Sequence, residues 1–150
     1  MSRAFHVRHL RARDLDRIEE IEQASFGEDA YDRKLFAEYR RKCGELFLVA
    51  LKGRNICGYM ITCTRADPAA AEVISLAVDP DFRGQGAASA LMAGTLRRLR
   101  RRAIPRAGLM VKASNVAARR FYERWGFRRV RRVPGYYEDG KDGLRMRLEL

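Results

Sequence analysis

Gly84 and Gly86 lie between an apolar stretch and a segment of helical pattern, a setting that suits an anion. The run Val73–Val78 leads into Asp79-Pro80-Asp81-Phe82-Arg83-Gly84-Gln85-Gly86-Ala87-Ala88, where a helix is expected to begin. The first amides of a helix have no internal acceptor, and the helix dipole is positive there. Gly84 and Gly86 carry no side chain, so a phosphate can come close to the backbone. Ala87 and Ala88 keep the first turn small, and Arg83 adds positive charge. The same residues also suit an ordinary strand-to-helix turn, and by themselves they leave both open. G-x-G-x-x-G and G-K-[ST] are absent, which excludes the dinucleotide fingerprint and the P-loop.

The elements that must position this loop follow from periodicity and punctuation. Phe5–Leu10 is expected as a short first strand. Asp14 suits an N-cap, and Leu15, Ile18 and Ile21 then recur at helical spacing to about Ser25-Phe26-Gly27. After a loop at Glu28–Tyr31, a second helix is expected over Asp32–Lys42, stopped at Gly44. Leu46–Leu51 and Ile56–Arg65 form a hairpin around Lys52-Gly53-Arg54-Asn55, followed by a turn at Ala66–Ala70. Val73–Val78 is apolar enough for a strand buried on both faces. A helix from about Ala87 to Arg102, a strand at Ala107–Val111 and a helix at Asn115–Trp125 follow, with Gly126 where a C-cap belongs. Phe127–Val133 and Leu144–Leu150 close the chain as strands. In the last, Leu144, Met146, Leu148 and Leu150 alternate with Arg145, Arg147 and Glu149, as in a half-exposed strand. The order is βααβββαβαββ, a mixed α/β sheet flanked by helices.

The 150 residues are one domain's worth, 1–150. Nearly half are apolar and a third charged, as in soluble globular proteins. No apolar run has the length of a membrane span, and Met1–Leu10 lacks the apolar centre of a secretory signal, so a cytoplasmic location is expected. Cys43, Cys57 and Cys63 show no C-x-x-C spacing and are expected as small core residues; with only His6 and His9 besides, no metal site is expected. The net charge is +12, and all but five of the 31 basic residues are arginine, spread along the chain with denser groups at Arg97–Arg106 and Arg128–Arg132. Such a distribution predicts weak basic-surface binding and no specific nucleic-acid partner.

Arg83-x-x-Gly86-x-Ala88 resembles the [QR]-x-x-G-x-[GA] signature of the GNAT N-acetyltransferases. The preceding Leu76-Ala77-Val78-Asp79-Pro80 looks like that family's fourth strand. Downstream, Asn115-x-x-Ala118-x-x-x-Tyr122-x-x-x-Gly126-Phe127 is similar to the family's N-x-x-A-x-x-x-Y-x-x-x-G-F element. The two motifs stand in register with the expected order of elements, so the resemblance covers essentially the whole chain and implies the GNAT fold. Within the family, Ile21-Glu22-Gln23-Ala24-Ser25-Phe26 and the segment Pro134–Gly143 resemble the RimI-like and Ard1-like protein Nα-acetyltransferases.

The resemblance implies an enzyme that uses acetyl-CoA as co-substrate, bound between the fourth and fifth strands. Amides from Gly84, Gln85, Gly86, Ala87, Ala88 and Ser89 would hold the pyrophosphate, with Arg83 beside them. Backbone groups of Leu76, Ala77 and Val78 would pair with the pantetheine arm as an added strand, and one of those amides would face the acetyl oxygen, where negative charge grows. Asn115 would bond the cofactor arm and also suits a helix cap. Tyr122 shares a helix face with Ala118, Phe121 and Trp125; by itself it reads as core, but its motif position implies the general acid for the departing thiolate. RimI-like relatives place an acidic base where this chain has Met110, which takes no proton. Glu72 and Glu28 are the substitutes, each equally a surface carboxylate. Tyr136 and Tyr137 would line the acceptor site or simply cover a sheet edge. The expected acceptor is a protein or peptide N-terminus, a ribosomal protein among the options. Lysine or a polyamine is the alternative, and a non-catalytic acyl-CoA-binding or RNA-associated module is another.

Overall fold

The structure is a computed structural model that describes residues 5–64 and 70–150. Its elements are β1 (His6–His9), α1 (Leu15–Phe26), α2 (Arg33–Cys43), β2 (Phe47–Lys52), β3 (Asn55–Thr64), β4 (Ala71–Val78), α3 (Ala87–Arg101), β5 (Arg106–Lys112), α4 (Val116–Arg124), β6 (Arg128–Val133) and β7 (Gly143–Glu149). This is the βααβββαβαββ order of the sequence. The turn expected around Pro68 lies outside the described residues.

The sheet order is β1-β2-β3-β4-β5-β7-β6. β1, β2 and β3 pair antiparallel, β4 and β5 pair parallel, and β7 pairs antiparallel with both β5 and β6. A parallel pair cannot be closed by a hairpin, and α3 is the crossover between β4 and β5. The chain divides into two compact units, residues 1–63 with 74–102 and residues 64–73 with 103–150.

In the first unit, alternation along β2 sends Phe47, Val49 and Leu51 to one core, shared with Ile18, Ile21, Phe36 and Tyr59. Leu48 faces α3 instead, where a Cβ at Gly94 would meet Val7 and Leu48. α2 begins at the N-cap Asp32, whose carboxylate accepts from the Leu35 N–H at 2.9 Å. Cys43, at the end of α2, is disulfide-bonded to Cys63 on β3, their Cα atoms 4.6 Å apart. This corrects the expectation of unpaired core cysteines: twenty residues of sequence separate partners that folding makes neighbours. Closing a loop of that length contributes about 3 kcal/mol through the unfolded chain.

Asp14 also departs from expectation. It precedes α1 but makes no side-chain cap to it. Its buried carboxylate takes Arg8 Nη1 at 2.7 Å and the Arg11 N–H at 2.8 Å, tying β1 to the turn before α1. Charge satisfies a buried carboxylate better than a neutral cap alone, and Arg8 holds the Asp14 carboxyl below its usual range even though burial, the largest influence, pushes the other way.

β4 is not buried on both faces. Ala71, Val73 and Ala77 are buried, while Glu72, Ile74, Ser75, Leu76 and Val78 are only half-buried. Its pairing with β5 covers Ala71–Val73 opposite Ala107–Leu109, so the later residues of β4 lie past the end of that ladder.

The second unit packs Ala107, Leu109 and Val111 of β5 with Leu144, Met146 and Leu148 of β7, all buried. The alternate β7 residues Arg147 and Glu149 are exposed, as the sequence pattern requires. Arg128, Arg129, Arg131 and Arg132 of β6 are exposed as well. Among the described residues, no helix is long and apolar enough to cross a membrane.

Candidate active site

The glycine loop belongs to the first unit. It is anchored where β4 ends: the Asp79 N–H donates to Cys57 O at 2.7 Å, and the Asp79 carboxylate accepts from the Asp81 N–H at 2.9 Å and pairs with Arg17. The Asp81 amide and Arg17 hold the Asp79 carboxyl below the usual carboxylate range. Gly84 and Gly86 take φ of +76° and +99°, a left-handed backbone that favours glycine, and a Cβ on either would meet nothing within 4 Å. Gly86 is the N-cap of α3 and offers no side-chain cap. The opening amides of α3, at Ala87, Ala88 and Ser89, therefore start a helix whose positive end faces open space. Gln85 accepts from Lys52 Nζ at 3.0 Å. Arg83 turns back along the strand, its Nε donating to Val78 O at 3.3 Å and its Nη2 to Ser25 Oγ at 3.4 Å. Leu76 and Val78 are half-buried and Ala77 is buried.

Tyr122, Asn115, Tyr136 and Tyr137 belong to the second unit. Asn115 caps α4: its Oδ1 accepts from the Ala118 N–H at 3.1 Å, leaving its amide donors. Two helix turns on, the buried Tyr122 ring sits edge-on to Phe121 at 5.4 Å and to Phe127 at 5.6 Å. No hydrogen bond of its hydroxyl occurs among the described residues, and burial, with Tyr137 a lesser influence, pushes the hydroxyl up to about 12. It is therefore a neutral O–H donor throughout the physiological range. Tyr136, 52% exposed, and Tyr137 are edge-on at 5.0 Å. Lys112 Nζ lies 5.3 Å over the Tyr137 ring and 2.8 Å from Asp139. Tyr137 is also raised to about 12, first by burial.

Of the two substitute carboxylates, Glu72 on β4 is gripped by Arg145 through both oxygens, at 2.5 and 2.7 Å. Glu28 is exposed, in the short turn Gly27–Asp29 after α1. Met110 is half-buried on β5, directly across from Arg145 on β7. A Cβ at Gly143 would come within 2.8 Å of Met110 Sδ and 3.1 Å of Tyr136 Cβ, so Met110 and Tyr136 share that corner.

The acetyltransferase (GNAT) family matches residues 14–127. The chain belongs to that family. An uncharacterized N-acetyltransferase of Methanocaldococcus jannaschii is 35% identical over 145 residues, covering 93% of this chain and 88% of its own. Among solved structures, Ard1 from Thermoplasma volcanium superposes with a TM-score of 0.92 at 28% identity, over 98% of each chain. The ribosomal-protein-S18-alanine N-acetyltransferase from Escherichia coli does so with a TM-score of 0.84 at 29% identity, over 97% of this chain and 93% of its own.

This acetyltransferase is thus an acetyl-CoA-dependent N-acetyltransferase. The glycine loop has a geometry that suits a pyrophosphate: two positive-φ glycines with no neighbour over them and an uncapped helix start.

Three residues of the acetyltransferase escaped the sequence reading. Glu22, on α1, is 2% exposed, and its carboxylate accepts from the Tyr59 hydroxyl and from the Tyr31 N–H, the latter at 3.0 Å. Burial raises its carboxyl to about 7. It reads in sequence as one of several acids on an amphipathic helix; the signal available was its place beside Ile21, on the apolar stripe. Arg145 looked like a solvated strand residue. Gly58 packs so closely that a Cβ would come within 2.8 Å of the Ala77 carbonyl oxygen, which sets the approach of β3 to the end of β4.

Proposed function

We propose that residues 1–150 act as one acetyltransferase domain that moves an acetyl group from acetyl-CoA to the α-amine of a protein N-terminus. The observation that carries this is the corner around Met110: the residue there takes no proton, and the nearby Glu72 is bound through both oxygens by Arg145. An acceptor that needs little help in losing its proton suits such a site. An α-amine has a pKa near 7.7–8.0, against about 10.4 for lysine, so roughly a tenth or more is neutral at pH 7 against less than about one lysine in a thousand. The likeness to a ribosomal-protein-alanine N-acetyltransferase and to Ard1 supports the same acceptor class and makes a ribosomal protein one option.

Acetyl-CoA supplies the activated acyl group as a thioester. In this reading Gly84–Ser89 hold the pyrophosphate through backbone amides, with Arg83 beside them, and Leu76, Ala77 and Val78 align the pantetheine arm along the strand. An amide of that strand faces the acetyl oxygen. Asn115 uses its remaining amide donors on the cofactor arm, and Tyr136 and Tyr137 line the acceptor. The Tyr122 hydroxyl, neutral at working pH, gives its proton to the thiolate as it leaves. Glu28, exposed, assists through water.

Peptides with a free N-terminus, and the same peptides with a blocked N-terminus and free lysines, separate this from the lysine alternative. Mass spectrometry after incubation with acetyl-CoA is expected to find acetyl on the N-terminus. The rate is expected to rise with pH near the α-amine pKa, even in a Glu28→Gln, Glu72→Gln double variant. Faster acetylation of the internal lysines would reject the N-terminal acceptor.

A further inference from the structure

Glu22, Tyr59 and Ser75 come from α1, β3 and β4, all within the first unit. The Tyr59 hydroxyl donates to the Glu22 carboxylate, and the Ser75 Oγ lies 3.4 Å from the same hydroxyl. Because Tyr59 uses its one proton on Glu22, the proton between Tyr59 and Ser75 belongs to Ser75. The hydroxyls therefore point in one direction, Ser75 to Tyr59 to Glu22. The deep end is closed: Glu22 and Tyr59 are 2% and 0% exposed. The other end is open: Ser75 is half-buried, and it immediately precedes Leu76, Ala77 and Val78.

We propose that Ser75, Tyr59 and Glu22 form a proton relay that carries the acceptor amine's proton into the protein, with Glu22 as its terminus, so that the site is served by a base where Met110 offers none. The proposal rests on Leu76–Val78 lining the acyl group, as argued above. As the N–C bond forms and the C–S bond breaks, the nitrogen sheds one proton to Ser75. Ser75 passes its own to Tyr59, Tyr59 passes its own to Glu22, and the carboxylate ends neutral. Tyr122 supplies the proton the sulfur takes. After the products leave, Glu22 gives one proton to water and Tyr122 regains one, so the cycle balances.

The surroundings of Glu22 favour this use. The titratable groups packed on the same core are Tyr59 from β3, Tyr31 from the loop before α2 and Tyr39 from α2, the last two with rings 5.9 Å apart. No lysine or arginine pairs with Glu22 among the described residues, so nothing holds its carboxylate permanently charged. Burial brings it to about 7, near the pH at which an α-amine must give up its proton. The Tyr31 N–H keeps one oxygen in place, while the other takes Tyr59.

Turnover against pH for wild type, Glu22→Gln, Ser75→Ala and the double variant, on whichever amine the wild type acetylates, tests the relay apart from the identity of the acceptor. The wild-type product reports on the acceptor; the ratio of variant to wild type reports on the relay. Each single variant is expected to lose roughly 10²-fold in kcat at neutral pH with little change in acetyl-CoA KM. The double variant is expected to lose no more than either, since both cut one path. The part of the acid limb near pH 7 that Glu22 contributes should vanish in Glu22→Gln, leaving the rise set by the amine's own pKa, so that the variant's deficit changes with pH. If Glu22→Gln does not fold, Ser75→Ala decides alone. Wild-type kcat in Ser75→Ala, or a deficit in Glu22→Gln that is constant across pH, would overturn the relay and leave Glu22 as a brace for the Tyr31 loop.

Discussion

Arg145 on β7 holds both carboxylate oxygens of Glu72 on β4, at 2.5 and 2.7 Å, with the glycine at 108 between their strands. A Cβ at Gly108 would come within 3.0 Å of Arg145 Nη2 and 3.4 Å of Glu72 Oε1, so the side chain missing there makes room for the fork. A bidentate pair of this kind fixes its partners in place, and its residues are mostly shielded from water, 24% and 19% exposed.

Glu72→Gln is therefore expected to cost about 1–3 kcal/mol of stability by urea unfolding and to lower turnover by less than about tenfold. A loss of turnover of roughly 10² or more at unchanged stability would instead make Glu72 the base.

Tyr122→Phe removes the hydroxyl and keeps the ring between Phe121 and Phe127. The expected loss in kcat is roughly 10²–10⁴-fold with cofactor KM unchanged. Because the hydroxyl titrates at about 12, its neutral, proton-donating form persists below that pH. The wild-type profile should then show no alkaline fall from this group below about pH 11, where roughly a tenth has ionised. Steady-state kinetics that show wild-type turnover in Tyr122→Phe would leave the tyrosine a packing residue.

Gly86→Val places a β-branched side chain at a φ of +99°, a conformation that L-residues rarely adopt. The added Cβ meets no protein atom within 4 Å, so the side chain projects into the space assigned to pyrophosphate. Calorimetry is expected to find no acetyl-CoA binding while far-UV circular dichroism keeps the helical signal. Unchanged affinity would place the pyrophosphate elsewhere.

Glu22 also ties stability to pH. Its carboxyl is raised by burial from 4.5 to about 7, so the folded chain keeps a proton that the unfolded chain releases in that interval. The stabilising contribution is full below about 4.5 and is lost as pH rises through about 7, amounting to at most about 3 kcal/mol. Urea midpoints at pH 5 and 8 are expected to shift in favour of Glu22→Gln, relative to wild type, at the higher pH. A wild-type-to-variant difference that is flat with pH would mean that Glu22 titrates as an exposed carboxylate.

The order of elements, the glycine loop at the start of α3 and the Asn115–Tyr122 helix were legible in the sequence because they are local. Periods of two and 3.6 residues, a glycine where the backbone turns left-handed and an asparagine at a helix start act over a few neighbours. Partnership across the chain was not legible. Nothing near Glu72 points to Arg145, 73 residues away, and nothing near Glu22 points to Tyr59, 37 residues away. Asp14 suited a cap on local grounds, yet it was taken by Arg8 from the neighbouring strand. Cys43 and Cys63 looked alike until α2 and β3 brought them together. A buried charge must find a partner or shift its titration, and which of these happens depends on what the fold packs around it. Local patterning sets the order of elements and the left-handed glycine loop; long-range packing sets which carboxylates are held in ion pairs and which one is buried with hydroxyls.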